Sequence, residues 1–240
     1  MIESERYDRQ IMLFGEDSQR RLSSSKVLVA GAGGLASPAS VYLAIAGVGK
    51  IVIADGDHVS LSNLNRQFLH DKKRMGMNKA LSAKETLERL NENVDVFAVD
   101  EPVTEENAEE LFDGCSLVVD CLDNFEARRI LNRQAVNSGI PMIHGAVSGW
   151  DGQASTIIPG VSPCFECMFP KNPPGETVPI VGTTAGVIGS IQANEAVRIL
   201  AGFEPALCGK LLIWDGRCSS SDIMPFFRDE KCPVCSGIKK

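Results

Sequence analysis

The sequence contains no long run of apolar residues. A membrane-spanning helix needs about 20 consecutive, mostly apolar residues, and the longest run here, KVLVAGAGGLA, is short and interrupted by glycines. The first residues, MIESERYDRQIMLF, show neither an apolar stretch nor the charged-then-apolar order of a secretory signal. We therefore expect a cytoplasmic protein without membrane spans, whose thiols stay reduced and unpaired.

An excess of positive charge is also missing. The formal net charge is −7 and the isoelectric point is about 5.1, so no basic field attracts nucleic acid or an anionic membrane. Small molecules or other proteins are the expected partners. Repeats, low-complexity tracts and a clear linker are absent too. A chain of 240 residues with 44% hydrophobic composition suits one large α/β domain or two small ones.

Strand-like apolar runs alternate with helical stretches through the first half of the chain. KVLVAGAGG and KIVIADGD predict buried strands, and KALSAKETLERLN predicts a helix. A short helix capped by Thr104 is expected before a fourth strand. Several later strands, from Pro141 onward, follow one another directly. We expect an α/β fold with a mostly parallel sheet, helices on both faces, and late antiparallel strands.

A glycine-rich turn joins the first strand to the next helix. Its sequence, GAGGLA, fits G-x-G-x-x-G/A with Gly31, Gly33 and Gly34. Glycines let a backbone approach phosphates, and a helix N-terminus supplies N–H groups and partial positive charge. Asp55 ends the second strand, where an acidic side chain meets a ribose hydroxyl. These features indicate a Rossmann-like nucleotide site; the alternative is a plain glycine turn.

Two cations bear on the choice of nucleotide. The glycine turn and its acid alone suggest NAD. Arg66 lies in the polar segment GDHVSLSNLNRQFLH, and Lys79 lies early in its helix. A guanidinium matches phosphate oxygens in pairs and an ammonium is a compact charge, so together they favour a triphosphate. From spacing alone, the alternative that both are solvated surface cations is the better one.

Asp123 and Asn124 come just beyond the end of the strand VVDC. Ligands of open α/β sheets bind at that edge, and a carboxylate there can hold Mg²⁺ through its oxygens. The alternative role for Asp123 is to cap the helix NFEARRIL. The two roles are compatible.

Two Cys-x-x-Cys pairs use half of the eight cysteines. Cys164 and Cys167 lie in a Pro- and Gly-rich stretch too irregular for a secondary-structure element, and Cys232 and Cys235 lie near the end of the chain. A redox motif is expected once, at the start of a helix. The doubled two-residue gap instead predicts a structural zinc site with four thiolates. The alternative is two unrelated thiol pairs.

The other four cysteines carry no such pattern. Cys115 and Cys121 lie beside or within a buried strand, and Cys208 and Cys218 flank the strand KLLIWDG. Small buried hydrophobic residues are the usual role of free cysteines.

Taken in order, the motifs resemble those of the ubiquitin-activating-enzyme-like adenylyltransferases, the MoeB/ThiF/HesA family, which includes the activators of sulfur carriers for molybdopterin and thiamin synthesis. No single stretch is specific, but the combination is, and it covers nearly the whole chain. The matching stretches are RYDRQIMLFG, VLVAGAGGLASPAS, DGDHVSLSNLNRQFLH, MNKA, VVDCLDN, GVIGSIQANEAVRILAG and the two Cys-x-x-Cys pairs.

The resemblance implies an enzyme that uses ATP and Mg²⁺ to adenylate the C-terminal Gly-Gly carboxylate of a small ubiquitin-like (β-grasp) sulfur carrier, releasing pyrophosphate. It implies one adenylation domain over 1–240, with a nucleotide-binding half at 1–150 and a zinc-bearing, carrier-binding half at 151–240. It also implies a homodimer in which Arg9 reaches into the site of the partner subunit.

Site residues follow from the same resemblance. Catalytic roles are implied for Arg9, Arg66, Lys79 and Asp123. The implied nucleotide-binding set is Gly31, Gly33, Gly34, Asp55, Asp57, Asn63, Arg66, Lys79, Asp123 and Asn124. The implied structural zinc ligands are Cys164, Cys167, Cys232 and Cys235. When a carboxylate attacks an α-phosphate, negative groups meet, so positioning and charge neutralisation drive the reaction and no protein nucleophile is needed.

Two positions depart from the family pattern. Ala36 stands where the family usually has glycine, which the motif tolerates. Many relatives carry a cysteine in the crossover loop before the GVIGS helix, but here that loop reads PKNPPGETVPIVG and has none. We therefore predict that the reaction stops at adenylation. Cys208 or Cys218 are the possible substitutes, and nothing marks either as activated.

Three other functions compete with this one. The adenylated carboxylate can instead belong to a peptide C-terminus or to tRNA, although the acidic composition disfavours tRNA. An NAD-dependent oxidoreductase explains the glycine turn and Asp55 but gives no role to Arg66, Lys79 or the cysteine pairs. A catalytically silent, zinc-stabilised partner in a heterodimer would be expected to have lost the ATP residues, and all are present.

Overall fold

The computed structural model of the protein describes residues 4–171 and 179–238. Eight strands form one sheet in the order β3-β2-β1-β4-β5-β6-β7-β8. The strands are β1 (Lys26–Ala30), β2 (Lys50–Ala54), β3 (Asp95–Val99), β4 (Leu117–Asp120), β5 (Met142–Ser148), β6 (Asp151–Ile157), β7 (Lys210–Asp215) and β8 (Ser220–Pro225). The helices are α1 (Ser4–Ser24), α2 (Ala36–Ile45), α3 (Lys79–Leu90), α4 (Ala108–Phe112), α5 (Phe125–Ser138), α6 (Phe165–Met168) and α7 (Gly182–Leu200).

The sheet changes from parallel to antiparallel at β5. Strands β1 to β5 pair in parallel, and β5 to β8 pair antiparallel. All of β4, and all but the first residue of β1 and β2, are buried, as expected for parallel strands that helices cover on both faces. The predicted fold class is confirmed. In the described part of the chain, no helix combines the length and apolar character needed to cross a membrane.

Two apolar cores lie on opposite faces of the sheet, because successive side chains of a strand point to opposite sides. Val27 and Val29 of β1 belong to the core under α2, α3 and α7. Leu28 and Ala30 belong to the core under α4 and α5. The second core also includes Cys164, Cys232 and Cys235, and Cys167 packs against it, so the cysteine cluster packs against the same face as α5.

Some local predictions were wrong. Helix α4 begins at Ala108 rather than after Thr104, because Thr104 and Asn107 exchange side-chain hydrogen bonds and close a turn ahead of the helix. The stretch expected to be irregular contains the short helix α6. Helix α1 was not predicted, and it is interrupted at Gly15, where φ is 82°.

The crevice for a ligand lies where the strand order reverses, between β1 and β4. The chain leaves β1 toward β2 on one side, while β4 leads to β5 on the other, so their connections diverge at the carboxyl edge. Gly31 donates to the carbonyl of Ala54, and Cys121 donates to that of Ala30. The segments after β1, β2 and β4 therefore begin side by side.

Candidate active site

The glycine turn requires glycine at its first position. Gly31 has φ of 96°, in the left-handed region that favours glycine. A Cβ there would lie 2.7 Å from the carbonyl oxygen of Cys121. Helix α2, which follows, has no acidic residue in its first turn, so its own side chains do not neutralise the partial positive charge of its N-terminus. The turn and helix start are thus suited to an anion.

Asp55 is fastened to this turn. Its carboxylate accepts the N–H of Ala32 at 2.7 Å and the N–H of Asp57 at 2.8 Å. Burial raises the pKa of Asp55, and the two backbone N–H groups partly offset that effect. Each carboxylate oxygen keeps a further lone pair, which is what acceptance of ribose hydroxyls requires.

Lys79 is a buried cation at the start of α3. Its ammonium lies 2.7 Å from a carboxylate oxygen of Asp57, and only 7% of the residue is exposed. The preceding residue, Asn78, caps α3 by accepting from Ala80 and donates to the carbonyl of Asp55. Asn78 thereby fixes Lys79 beside Asp55, and the alternative of a solvated surface lysine is wrong.

Arg66 lies between the glycine turn and the N-terminus of α7. A Cβ on Gly34 would contact the Arg66 stem at 3.5 Å, and one on Gly182 would lie 3.2 Å from the Arg66 Cβ. The Arg66 guanidinium donates to the carbonyl of Ser62 and the side chain of Asn65. Glycines at positions 34 and 182 therefore let three segments converge on this arginine.

Gln67, which was not predicted, is a further polar group at the turn. A Cβ on Gly33 would lie 3.5 Å from its amide nitrogen. The residue is 4% exposed, yet its carbonyl oxygen has no hydrogen-bond partner within the described residues. An unpaired buried acceptor is costly, so this one fits a site completed by a ligand's donor. In the sequence, only its position directly after Arg66 pointed to a role for Gln67 at this site.

Asn63 has a structural role in the segment that holds Arg66. Its side chain accepts the N–H of Ser60 at 3.0 Å, and the two residues form a reciprocal capping box around a 3₁₀ turn. A nucleotide-facing role for Asn63 stays a prediction.

Asp123 and Asn124 lie exposed beyond β4. Asn124, not Asp123, caps α5 by accepting the N–H of Ala127 at 2.8 Å. The capping alternative for Asp123 is therefore wrong, because the helix starts one residue later than a cap at Asp123 requires. The Asp123 carboxylate stays at the carboxyl edge, next to the crevice between β1 and β4.

Arg9 lies far from the other predicted site residues of its own chain. Its neighbour Gln10 donates to the carbonyl of Ala46 at the C-terminal end of α2, whereas the glycine turn is at the N-terminal end. Helix α2 has 10 residues and is therefore about 15 Å long. Arg9 is exposed on α1 and does not complete this chain's site.

The four predicted metal ligands form one cluster. The Sγ of Cys164 lies 3.5 Å from that of Cys232 and 3.9 Å from that of Cys167, and Cys167 and Cys235 are 3.5 Å apart. All four sulfurs lie within 4.8 Å of one another. Zn–S bonds of about 2.3 Å in a tetrahedron place sulfurs about 3.8 Å apart. The alternative of two unrelated thiol pairs is wrong, and the cluster can hold a metal ion.

Helix α5 anchors the cluster. Glu166, between Cys164 and Cys167, is 8% exposed and pairs with Arg129 and Asn132. Burial raises the pKa of the Cys167 thiol to about 11, so a bound cation is what would keep that thiol ionised. Cys164 occupies the N-cap position of helix α6 without a side-chain capping bond, so the first pair does lie at a helix start. The pair Cys232 and Cys235 contacts this first pair, and four thiols in one cluster favour a metal site over redox chemistry.

Three of the remaining cysteines, Cys115, Cys121 and Cys208, have no activating environment. Cys115 and Cys121 are buried, and burial raises the pKa of both thiols. Burial, with nearby Glu204, also raises the pKa of Cys208. Cys218 is exposed in the β7–β8 turn.

A buried polar cluster beneath the crevice was also not predicted. Asp120, His144 and Arg128 are each at most 5% exposed and lie on β4, β5 and α5. The available signal was one charged residue at the end of the apolar run LVVD and one histidine in MIHG. Neither strand alone indicates that the two side chains meet.

A family model described as the ThiF family matches residues 7–234. The SAMP-activating enzyme E1 of Haloferax volcanii is 41% identical, covering 96% of this chain and 88% of its own length. The protein HesA of Leptolyngbya boryana is 39% identical, over 98% and 86%. The sulfur carrier protein adenylyltransferase of Thermus thermophilus is also 39% identical, over 97% and 91%.

Solved structures share the fold. Escherichia coli MccB bound to MccA-N7isoASN superposes with a TM-score of 0.89 at 20% identity, covering 99% of this chain and 76% of its own. PaaA superposes with a TM-score of 0.82 at 28% identity, covering 93% and 74%. With the matched family model and relatives that align along nearly its whole length, the chain belongs to the ThiF family.

Proposed function

We propose that the protein is an adenylyltransferase that uses ATP to activate the C-terminal Gly-Gly carboxylate of a ubiquitin-like sulfur carrier as acyl-AMP, releasing pyrophosphate. The relatives named for SAMP activation and sulfur-carrier adenylylation support this substrate class. The structural observation that supports it most directly is the Arg66 stem against Gly34, with the buried Lys79 ammonium nearby at Asp57. Two cations beside an anion-binding turn suit a triphosphate better than a nicotinamide dinucleotide.

Each side chain has a defined task in this reaction. Asp55 accepts the ribose hydroxyls, and Gln67 offers its unpaired carbonyl to a donor of the nucleotide. Arg66 and Lys79 neutralise phosphate charge as the carrier carboxylate approaches the α-phosphorus. An oxygen of the carrier carboxylate forms the new bond to the α-phosphorus, and the bond between the α-phosphorus and pyrophosphate breaks. The exposed Asp123 carboxylate would hold Mg²⁺, and a bound Mg²⁺ would supply further neutralisation of phosphate charge.

The remaining nucleotide-binding roles are proposed by position. Asn63 would donate to the phosphates through its side-chain NH2 group while its oxygen keeps the Ser60 N–H. Asp57 would take part by releasing the Lys79 ammonium to the phosphates. Asn124 would contact the nucleotide from the start of α5. The backbone of Gly31, Gly33 and Gly34 would line the phosphates.

The reaction is proposed to end at the acyl-adenylate. The crossover-loop residues 172–178 lie outside the described residues, but their sequence, with the flanking PK and PIVG, has no cysteine. The raised pKa of Cys208, caused first by burial, leaves that thiol a poor nucleophile. A separate protein would then supply the nucleophile that accepts the acyl group.

The active form is proposed to be a homodimer in which Arg9 serves the partner's site. Met12 and Leu13 lie one turn after Arg9 on α1 and are 79% and 83% exposed. Residues three and four apart share a helix face, so Arg9 lies beside an apolar pair whose burial would favour docking of α1 on a second copy.

The four-cysteine cluster is proposed to hold structural zinc, since zinc sites of this kind use four thiolates and leave no open position. Residues 1–240 are proposed to act as one adenylation domain. In it, the 1–150 half binds the nucleotide and the 151–240 half carries the zinc and receives the carrier. The sheet continues across the boundary between the two halves, since β5 and β6 pair there, and this continuity supports a single domain.

Carrier-dependent exchange of labelled pyrophosphate into ATP tests the proposal. The protein is incubated with ATP, Mg²⁺ and each β-grasp protein of its host that ends in Gly-Gly. Exchange is expected with at least one carrier and is expected to vanish when that carrier lacks its last two glycines. Exchange that requires a short peptide instead would select the peptide-substrate alternative. Binding of NAD but not of ATP would overturn the proposal.

A further inference from the structure

A buried hydrogen bond between side chains joins β4 to β5 directly below the nucleotide edge. Asp120 and His144 are register partners in the parallel pair, and both are 0% exposed. The Nδ1 of His144 lies 2.7 Å from an Asp120 carboxylate oxygen. A buried carboxylate is costly unless it is paired, so this contact helps to stabilise the charged form of Asp120.

The surroundings of His144 select one protonation state. Nδ1 faces the carboxylate and must donate, while Nε2 lies 3.2 Å from the amide nitrogen of Gln153 and must accept. That assignment is the neutral imidazole with its proton on Nδ1. Burial lowers the pKa of His144 although Asp120 acts to raise it, which agrees with a neutral ring. Phe165 and Phe169 pack on the ring at centroid distances of 5.1 and 5.4 Å.

The same carboxylate holds the turn that leads to Asp123. The second oxygen of Asp120 accepts the N–H of Leu122 at 3.1 Å. Arg128 donates to the carbonyl of Leu122 and, at 3.1 Å, to that of Gly145. Its Nε lies 3.5 Å from Asp120, an ion-pair distance rather than a hydrogen bond. Both polar groups of Leu122, one residue before Asp123, are therefore fixed by buried side chains.

We propose that His144 is a positioning residue for the nucleotide site: by donating to Asp120, it fixes the turn from Cys121 to Asn124 and so places the Asp123 carboxylate. His144 is buried beneath the sheet edge and takes no part in the chemistry itself. The link from Asp123 to Mg²⁺ and ATP rests on the proposed function, whereas the link from His144 to the turn does not.

Hydrogen–deuterium exchange of the peptide that contains Leu122 tests the link to the turn without any need for activity. His144→Phe keeps an aromatic ring against Phe165 but removes the donor to Asp120. His144→Asn keeps a donor near the Nδ1 position. Because a hydrogen bond to a charged group contributes about 1.5–3 kcal/mol, His144→Phe is expected to speed exchange of this peptide by about tenfold or more. His144→Asn is expected to restore most of the protection.

Two further variants keep the test decisive. Gln153→Met removes only the donor to Nε2 of His144, so it should speed amide hydrogen exchange of the Leu122 peptide by a smaller factor. This variant replaces His144→Phe in the test if His144→Phe does not fold. Glu195→Gln alters another buried carboxylate, which accepts from Thr156 and Leu207. Glu195→Gln should lower the thermal midpoint without changing exchange around Leu122, because it lies outside the Asp120 cluster.

The nucleotide readout separates this inference from the proposed function. The Kd of a non-hydrolysable Mg·ATP analogue should rise about tenfold in His144→Phe, recover in His144→Asn, and show no change in Glu195→Gln. An unchanged KM for the carrier in His144→Phe would agree with this inference. The inference would be overturned if folded His144→Phe showed unaltered amide hydrogen exchange and an unaltered Kd. It would also be overturned if His144→Asn raised the exchange rate and the Kd as much as His144→Phe does. If amide hydrogen exchange changes but the protein adenylates no carrier, His144 still positions the turn, and only the proposed function is refuted.

Discussion

The ammonium of Lys79 lies 2.7 Å from the carboxylate of Asp57, with the lysine side chain 9% exposed and the aspartate side chain 74% exposed. The Lys79 ammonium is therefore buried, whereas the Asp57 carboxylate that pairs with it is exposed to solvent. A buried ammonium needs a partner at all times, and an incoming phosphate can replace Asp57 in that role. Such an exchange keeps Lys79 paired before and after the nucleotide binds.

Lys79→Ala is expected to raise the Kd for Mg·ATP by at least about tenfold, because one buried, charge-assisted contact to phosphate is lost. Calorimetric titration measures the change. Lys84→Ala is the matched control: it is on the same helix and pairs with Glu88 at 3.5 Å on the surface, where such pairs contribute little. A Kd that changes equally in both variants would contradict the assignment of Lys79 to phosphate binding.

Gly31→Ala is expected to destabilise the protein by about 2 kcal/mol or more, because a methyl group strains a left-handed residue and meets a backbone oxygen 2.7 Å away. Urea unfolding measures the loss, and ATP binding should weaken with it. Gly114→Ala separates the two causes: Gly114 also has positive φ, 65°, but a methyl group there would have nothing within 4 Å. Similar losses in both variants would mean that the contact with Cys121 is unimportant.

Local features of the chain were predicted well. KVLVAGAGG specifies a buried strand and a glycine turn because apolar runs and glycines act on their own neighbourhood. The four-cysteine cluster was predictable from a repeated spacing, although its two halves are separated by all of α7, β7 and β8. The family resemblance supplied Arg66 and Lys79, whose spacing alone favoured surface cations.

Features set by the pairing of distant segments were missed. Asp120 meets His144 only because β4 and β5 pair in one register, and neither strand sequence encodes that register by itself. The cap of α5 was assigned one residue early because Asp and Asn are both good caps and only the helix start distinguishes them. Gln67 gave no signal because its unpaired oxygen is visible only once the turn is folded.

Cys164→Ser is expected to abolish stoichiometric zinc binding and to lower the thermal midpoint, because metal-binding free energy is part of folding free energy in such sites. Atomic emission and calorimetry measure the two quantities. Cys115→Ser, a buried cysteine outside the cluster, should keep its zinc. Full zinc content in Cys164→Ser would show that the metal uses other ligands.

The free energy of unfolding is expected to fall as pH drops below about 6.5, the histidine pKa in an unfolded chain. Burial lowers the pKa of His70 and of His144 in the native state. Below pH 6.5 the unfolded chain therefore binds more protons, so acid favours unfolding by at most about 1.4 kcal/mol per pH unit for each histidine. Urea titrations between pH 7.5 and 5.5 test this. His70→Asn should flatten the slope, and an unchanged slope in that variant would contradict this account.

Mixing two inactive variants tests whether Arg9 acts on the partner subunit. Arg9→Ala and Asp123→Ala should each lose carrier-dependent pyrophosphate exchange, the first because α1 no longer supplies its cation, the second because the carboxylate for Mg²⁺ is gone. In a dimer that contains one subunit of each kind, one site keeps its own Asp123 and receives Arg9 from the neighbour. Random reassortment in a two-fold dimer should therefore restore roughly a quarter of wild-type exchange. If Arg9 served its own chain, both sites of the mixed dimer would be defective and no exchange would return.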